Sequence, residues 1–384
     1  FIISLILFSL GSLLCSLSPN LTFLVIARVI QGIGGSLMTP VGKLALIKTF
    51  DKSELLKAMN FAIIPALIGP VLGPLIGGYM VDYLSWHWIF LINLPIGILG
   101  IVLSVKYMPN YFSKIIDFDF KGFLFFAAAS LLLSISLEWM GNAKNITPVL
   151  LVFLMGFIFI YLYYRHAKKE ENPIFPLELF MVRTFRVGFL GNLATRLGIS
   201  SIPLLIPLMI QIAYGQSAVV SGWIVAPMAI TAMFGKSAVI KILNRFGYRK
   251  TLMFNTFLIG TLICLMAIPG INTSIYWFIP LILVLGFFNS IQFTSMNTIS
   301  ISDLRDSHTS SGNSLISVNQ QIAIGFGIAF GLIILKLFEG DTQLIKGNIH
   351  NAFRYTFLVM GILTILSGFV FRRLHFRDGD NMKS

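Results

Sequence analysis

Two arginines interrupt apolar runs that would otherwise hold no charge: Arg28 in "ARVIQGIGGS" and Arg196 in "NLATRLG". Arg28 lies about 10 Å from the outer end of its run at 1.5 Å per helical residue. A cation at that depth costs a few kcal/mol or more unless it faces a cavity or a partner. Arg28 is therefore expected to face a central cavity, against the alternative of a structural bond to backbone carbonyls. For Arg196, near the middle of its run, the two readings stand level. Gln31 and Asn192 each lie one turn from an arginine and can share its face. Further amides, Asn289, Gln292 and Asn297 in one run and Asn319, Gln320 and Gln321 in another, would be unsatisfied against lipid and should turn inward, to line a path or to bond neighbouring helices.

Carboxylates of comparable depth are scarce. Asp82 and Glu138 fall near outer ends, where a solvated interfacial role is expected, so no residue is assigned as proton carrier. The five His are scattered, with no His/Cys/carboxylate cluster at metal spacing. Cys15 and Cys264 sit in apolar runs and read as packing residues without a disulfide role. No phosphate-cradling Gly-rich pattern is present. The sequence gives no reason to expect an enzyme, a metal or a cofactor.

The elements that must hold these residues follow from composition. Of 384 residues, 56% are hydrophobic and 11% charged, with a mean hydropathy of +0.86; so few charges cannot cover so much apolar surface in water. A bilayer core needs about 20 apolar residues per helix. Twelve spans are expected, near 1–18, 21–42, 58–82, 88–105, 122–140, 148–164, 187–213, 220–240, 251–269, 277–299, 314–335 and 355–371. Their apolar residues are continuous and do not alternate, which predicts helices and not barrel strands. Of the 28 Lys and Arg, 21 fall in loops and tail on one side, four (Lys144, Lys336, Lys346, Arg354) on the other, and three (Arg28, Arg196, Lys236) within spans. The positive-inside rule then predicts both ends of the chain in the cytosol. The charge of +13 reflects topology, and no nucleic-acid partner is expected.

Two further stretches have mechanical meaning. In "ALIGPVLGPLIGGYM", Gly69, Gly73 and Gly77 recur every four residues, a smooth stripe that would let a neighbouring backbone approach, with Gly78 beside it. Pro70 and Pro74 remove donors and bend the helix. In "GKSAVIKILNRFGYRK", Gly247 permits a tight turn, and Arg245, Arg249 and Lys250 can pair with carboxylates or helix C-termini to latch one side shut. "RHAKKEENPIFPLELFMVRTFR" is a connector in which "PLELF" is a candidate short amphipathic surface helix.

Taken in order, "ARVIQGIGGS", "GPVLGPLIGG", "SWHWIFLINLPIG", "ENPIFPLELF", "NRFGYRK", "NSIQFTSMNT" and "SSGNSLIS" resemble the fourteen-helix drug:proton antiporters of the major facilitator superfamily over nearly the whole chain. Arg28 and Gly32 occupy marked positions of the fourth-helix motif, which implies a part for Arg28 in proton coupling or substrate binding, and Gly69 to Gly78 occupy those of the antiporter signature. In the cytosolic loop motif Asn244 replaces the family's Asp, which removes the usual charge pair. The resemblance implies an all-α fold of two helical bundles around a central cavity, with this chain starting at the family's third helix and the coupling carboxylate on the first. It divides the chain into 1–106 (four helices), 107–185 (two additional helices and connector) and 186–384 (a six-helix bundle and tail). It implies a monomer in a bacterial inner membrane that exports small amphipathic compounds against protons by alternating access. A dedicated exporter of one metabolite or siderophore, and a non-transporting sensor or scaffold, are the alternatives.

Overall fold

The computed structural model describes residues 1–49, 69, 72–109, 118–140, 147–340 and 348–380. Its helices are, in order, α1 (Ile2–Ser16), α2 (Leu21–Thr49), α3 (72–83), α4 (Trp88–Leu91), α5 (Asn93–Tyr107), α6 (Phe120–Met140), α7 (Thr147–Ala167), α8 (Arg183–Ile199), α9 (Ile202–Leu208), α10 (Ala218–Val225), α11 (Pro227–Leu265), α12 (Phe278–Ile301), α13 (Asp306–Gly340) and α14 (Ile349–Ser367). No strand occurs among the described residues.

Among those residues nine helical stretches are long and apolar enough to cross a membrane, and α1 is a shorter apolar helix. The longest, Ala218–Leu265, covers two expected spans, because Gly247 at φ 72°, ψ 166° breaks the helix inside it. That backbone conformation suits a residue without Cβ. The expected span 187–213 is also interrupted. It breaks at Ser200–Ser201, and after Pro207 the backbone widens into a π-turn, Met209–Ala213, which accommodates the missing proline donor. Most of the expected span 58–82, including Pro70, lies outside the described residues.

The chain forms two compact units. The first comprises Phe1–Ile116 with Ser217–Ala226. Here α1 and α2 cross at small residues: a Cβ on Gly11 would lie 2.4 Å from the Gln31 backbone nitrogen, and one on Gly34 2.4 Å from that of Phe8. Membrane helices lack a hydrophobic drive toward one another, so such close backbone contact holds them together. Later in the unit, α3 meets α10. Asp82 accepts the Val219 and Ala218 backbone N–H groups at 2.8 and 3.3 Å, so it caps the N-terminus of α10 and favours that helix end electrostatically.

The glycine stripe behaves differently from expectation. Gly69 and Gly73 are exposed and Gly77 half-buried, and no described atom lies within 4 Å of a Cβ built on any of the three. The close approach is made by the face one residue onward. A Cβ on Gly78 would lie 2.6 Å from the Ala218 carbonyl oxygen, and one on Gly222 2.4 Å from that of Pro74. Successive helical residues point about 100° apart, so the four-residue spacing marks a small-residue face while the partner helix packs beside it.

The second unit comprises Asp117–Gln216 with Pro227–Ser384. Its α6–α7 hairpin is tied at one end by Asp119, only 3% exposed, which accepts the Gly122 N–H at 2.8 Å as an N-cap, the Ile174 N–H at 3.3 Å, and faces His166 Nε2 at 2.7 Å. The connector is folded down onto this hairpin. The Tyr163 hydroxyl donates to the Phe175 carbonyl and accepts its N–H, both at 2.9 Å. "PLELF" is no surface helix but one 3₁₀ turn, Leu177–Met181. Leu179 is fully buried with Phe175, Phe185 and Leu315, and that burial draws the turn inward.

Two outcomes follow from this packing. Gly222→Ala places its methyl against the Pro74 carbonyl and is expected to cost about 1–3 kcal/mol, seen as a lower Tm of the purified protein in detergent. Burial alone would raise the Asp119 carboxyl, but the Gly122, His166 and Ile174 hydrogen bonds hold it below its ordinary value of 3.8. A carboxyl lowered on folding adds stability that is complete above 3.8 and disappears as pH falls through the lower folded value. Thermal melts of Asp119→Asn against the parent should therefore differ at neutral pH and converge in acid below that value.

Candidate functional site

Each unit carries one polar focus built on an arginine. In the first, Arg28 on α2 is exposed; its Nη1 donates to Gln31 Oε1 at 2.6 Å, and its guanidinium lies 5.8 Å from the Phe90 ring centre. Gln31 is buried; its Nε2 donates to Ser12 Oγ at 2.6 Å, and its Oε1 accepts the Cys15 thiol at 3.9 Å. The expected pairing of Arg28 with Gln31 is present, and it continues into α1. Cys15 is buried and free, as the packing role requires.

The second focus repeats this chemistry on other helices. Arg196 on α8 donates from Nε to Asn192 Oδ1 at 2.7 Å, and its guanidinium lies 5.0 Å from the centre of the Phe293 ring on α12. Asn192 is fully buried, and its Nδ2 has no partner among the described residues. Asn289, Phe293 and Asn297 are spaced by four along α12 and share one face. Gln320 of α13 donates to Asn297 Oδ1, which draws that helix into the same focus. Asn289 is half-buried. Neither Arg28 nor Arg196 has a carboxylate within salt-bridge distance among the described residues. Each cation is held by an amide oxygen and a ring face, an arrangement worth more away from water than at an exposed site.

Other amides bind helices to one another. Gln292, fully buried, donates to Thr256 Oγ1 and accepts from Asn255 Nδ2, both at 2.8 Å. Asn319 donates to the Phe189 carbonyl at 2.9 Å. Phe90 and Phe293 are the residues that sequence reasoning missed. In a chain with 35 Phe, no spacing marks which rings lie under a cation.

The expected cytosolic latch is only partly present. Gly247 makes the turn. Among the described residues, however, Arg245, Arg249 and Lys250 form no salt bridge; Arg245 lies over the Phe246 ring at 5.4 Å and Arg249 over Phe376 at 4.6 Å. With Asn244 in place of an acid, aromatic faces hold these cations. The ion pair at this end is instead Arg183 Nη2 with Asp378 Oδ1 at 2.5 Å, and Asp378 also accepts the His375 N–H at 2.7 Å. Asp119, His166 and Glu170 bring three ligand-type atoms within 4.8 Å, which the spacing of Asp119 from His166, 47 residues, does not reveal. The three N–H groups on Asp119 make this trio a structural tie.

Truncating Gln292 separates glue from path. Gln292→Leu removes the donor to the buried Thr256 hydroxyl oxygen and the acceptor of one Asn255 amide hydrogen and is expected to cost about 1–3 kcal/mol, measured by denaturation in detergent. A substrate-lining role would instead change KM without that loss.

Comparison with known proteins adds the following. The model of the Major Facilitator Superfamily matches residues 1–328 and 188–383. The chain is 40% identical over 377 residues to the "Probable transport protein HsrA" of Haemophilus influenzae, covering 98% of this chain and 81% of that one. It is 39% identical over 379 residues to the "Putative multidrug resistance protein MdtD" of Pectobacterium atrosepticum, covering 97% and 81%, and 39% identical over 386 residues to the protein of that name from Salmonella typhimurium, covering 100% and 82%. Among solved structures it is similar to an auto-inhibited peptide transporter of the POT family, with a TM-score of 0.65, 12% identity and coverage of 98% and 83%. It is also similar to a bacterial homolog of the human lysosomal transporter Spinster in an inward-facing, occupied conformation, with a TM-score of 0.64, 12% identity and coverage of 97% and 80%.

Proposed function

We propose, since this chain belongs to the Major Facilitator Superfamily and is a multi-pass membrane transporter, that it exports small amphipathic compounds of several chemical kinds from a bacterial cytoplasm, coupled to inward proton flow. The observation that carries this reading is the pair of span arginines, each bonded to an amide one turn away and set over a phenylalanine ring without a carboxylate partner among the described residues. An intramembrane cation with that little fixed counter-charge, beside an aromatic face and amides, suits a path for amphipathic molecules better than a purely structural ion pair. The relatives named for multidrug resistance support the breadth of substrate. Both ends of the chain lie in the cytosol on this reading, as the basic residues favour.

Transport proceeds by alternating access. The tight α3–α10 packing at Pro74, Gly78 and Gly222 is the seam that keeps the path closed while the helices move. The divisions at 106 and 185 separate the antiporter-type bundles from the two additional helices.

Everted membrane vesicles test the proposal. With an imposed pH gradient, chemically unrelated dyes should all be taken up, and Arg28→Ala and Arg196→Ala should each reduce the rate by about tenfold or more, as expected for loss of more than 1.4 kcal/mol at the limiting step. Uptake of a single compound would point to a dedicated exporter. Absence of gradient-driven flux for every compound would remove the transport reading, and an unaffected Arg28→Ala would remove the assigned role of that residue.

A further inference from the structure

The break at Gly247 leaves one hydroxyl in an unusual state. Threonines in the intact helices close onto the carbonyl four residues earlier: Thr195 on Gly191, Thr256 on Leu252, Thr356 on Ala352 and Thr364 on Met360. Thr251 stands four residues after Gly247, whose ψ of 166° turns that carbonyl out of the helical line. Thr251 is 6% exposed, and its hydroxyl has no hydrogen-bond partner among the described residues. A buried hydroxyl without a partner is costly and marks a place where a further polar group would be stabilising.

Thr251 lines a groove of about 430 Å³ between α11 and α12, walled by Phe246, Phe254 and Phe288, with Lys250 at its edge. Phe246 and Phe254 are 53% and 65% exposed, so the trough opens on the surface of apolar helices long enough to cross a membrane, a surface that lipid can cover. Lys241, Arg245, Arg249 and Lys250 stand within ten residues of one another, and none has a carboxylate within salt-bridge distance among the described residues. Of these four only Lys250 lines the groove, and an apolar trough with one cation that lacks a carboxylate partner has the chemistry of a chain-and-phosphate site.

We propose that this groove binds one anionic phospholipid from the leaflet on the basic side, with an acyl chain against Phe254 and Phe288 and the phosphate at Lys250. Zwitterionic lipid fits the same walls, but the Lys250 ammonium selects an anionic headgroup. The site stands apart from the proposed transport activity and does not require it.

Site-specific photocrosslinking tests this. The full chain, with p-benzoylphenylalanine in place of Phe254, is reconstituted in vesicles of equimolar phosphatidylglycerol and phosphatidylcholine, irradiated, and its lipid adducts are identified by mass spectrometry. Phosphatidylglycerol adducts should exceed phosphatidylcholine adducts by about fivefold, the effect of one basic residue near a membrane surface. Lys250→Gln in the same background should bring the two to parity, and because Lys250 is exposed an unchanged Tm is expected to accompany that loss. The probe placed at Ile268, beyond the far end of α11, should report parity with or without Lys250. Parity at position 254 in the parent chain, or an excess that survives Lys250→Gln, would overturn the assignment.

Discussion

A polar group inside a bilayer-spanning helix has no water to fall back on, and the internal arrangement of both units answers to that constraint. Where a hydroxyl follows an unbroken helix, the backbone itself accepts it. Where an amide faces a neighbouring helix, it becomes a fastening, as Gln292 does between α11 and α12. Where the group is a guanidinium, neither solution suffices, and the protein uses an amide on the same helix together with an aromatic ring from another. Arg28 and Arg196 reach this arrangement in separate units.

The same constraint explains which parts of the molecule could be read from the residues alone. The all-helical membrane fold was legible because an apolar run of bilayer length has few alternatives. Arg28 with Gln31, and Arg196 with Asn192, were legible because three- and four-residue spacings fix neighbours on a helix face. Contacts between distant segments were not: Phe90 and Phe293 under the arginines, Asp119 against His166, and Arg183 against Asp378 depend on how helices pack. The glycine stripe shows the limit most clearly. Its period identified a face on which a backbone could approach, yet α10 packs on the adjoining face at Pro74 and Gly78. The latch shows another: Asn244 signalled that the usual charge pair was missing, but not that rings would take over the cations.

For a transporter these distinctions divide the polar residues by task. Amides satisfied across a helix interface, such as Gln292 and Asn319, hold bundles rigid, and rigid bundles can move as bodies. The Asp119 tie and the Tyr163–Phe175 pair do similar work for the α6–α7 hairpin and its connector. The two arginine foci differ in this respect: Gln31 is bonded to Arg28, Ser12 and Cys15, whereas Asn192 is left one donor short. On the proposed function, that open Asn192 donor is available to a passing substrate.

The capping of α10 by Asp82 spans 137 residues of chain to Val219, and the first unit includes Ser217–Ala226. This has a consequence for biosynthesis. A ribosome that has finished everything up to residue 116 has not yet made the piece that covers Pro74 and Gly78, so during insertion of the next hundred residues that small-residue face stays open to the translocon, to lipid or to a chaperone. Maturation of the first unit is thus timed by elongation well into the second half of the polypeptide.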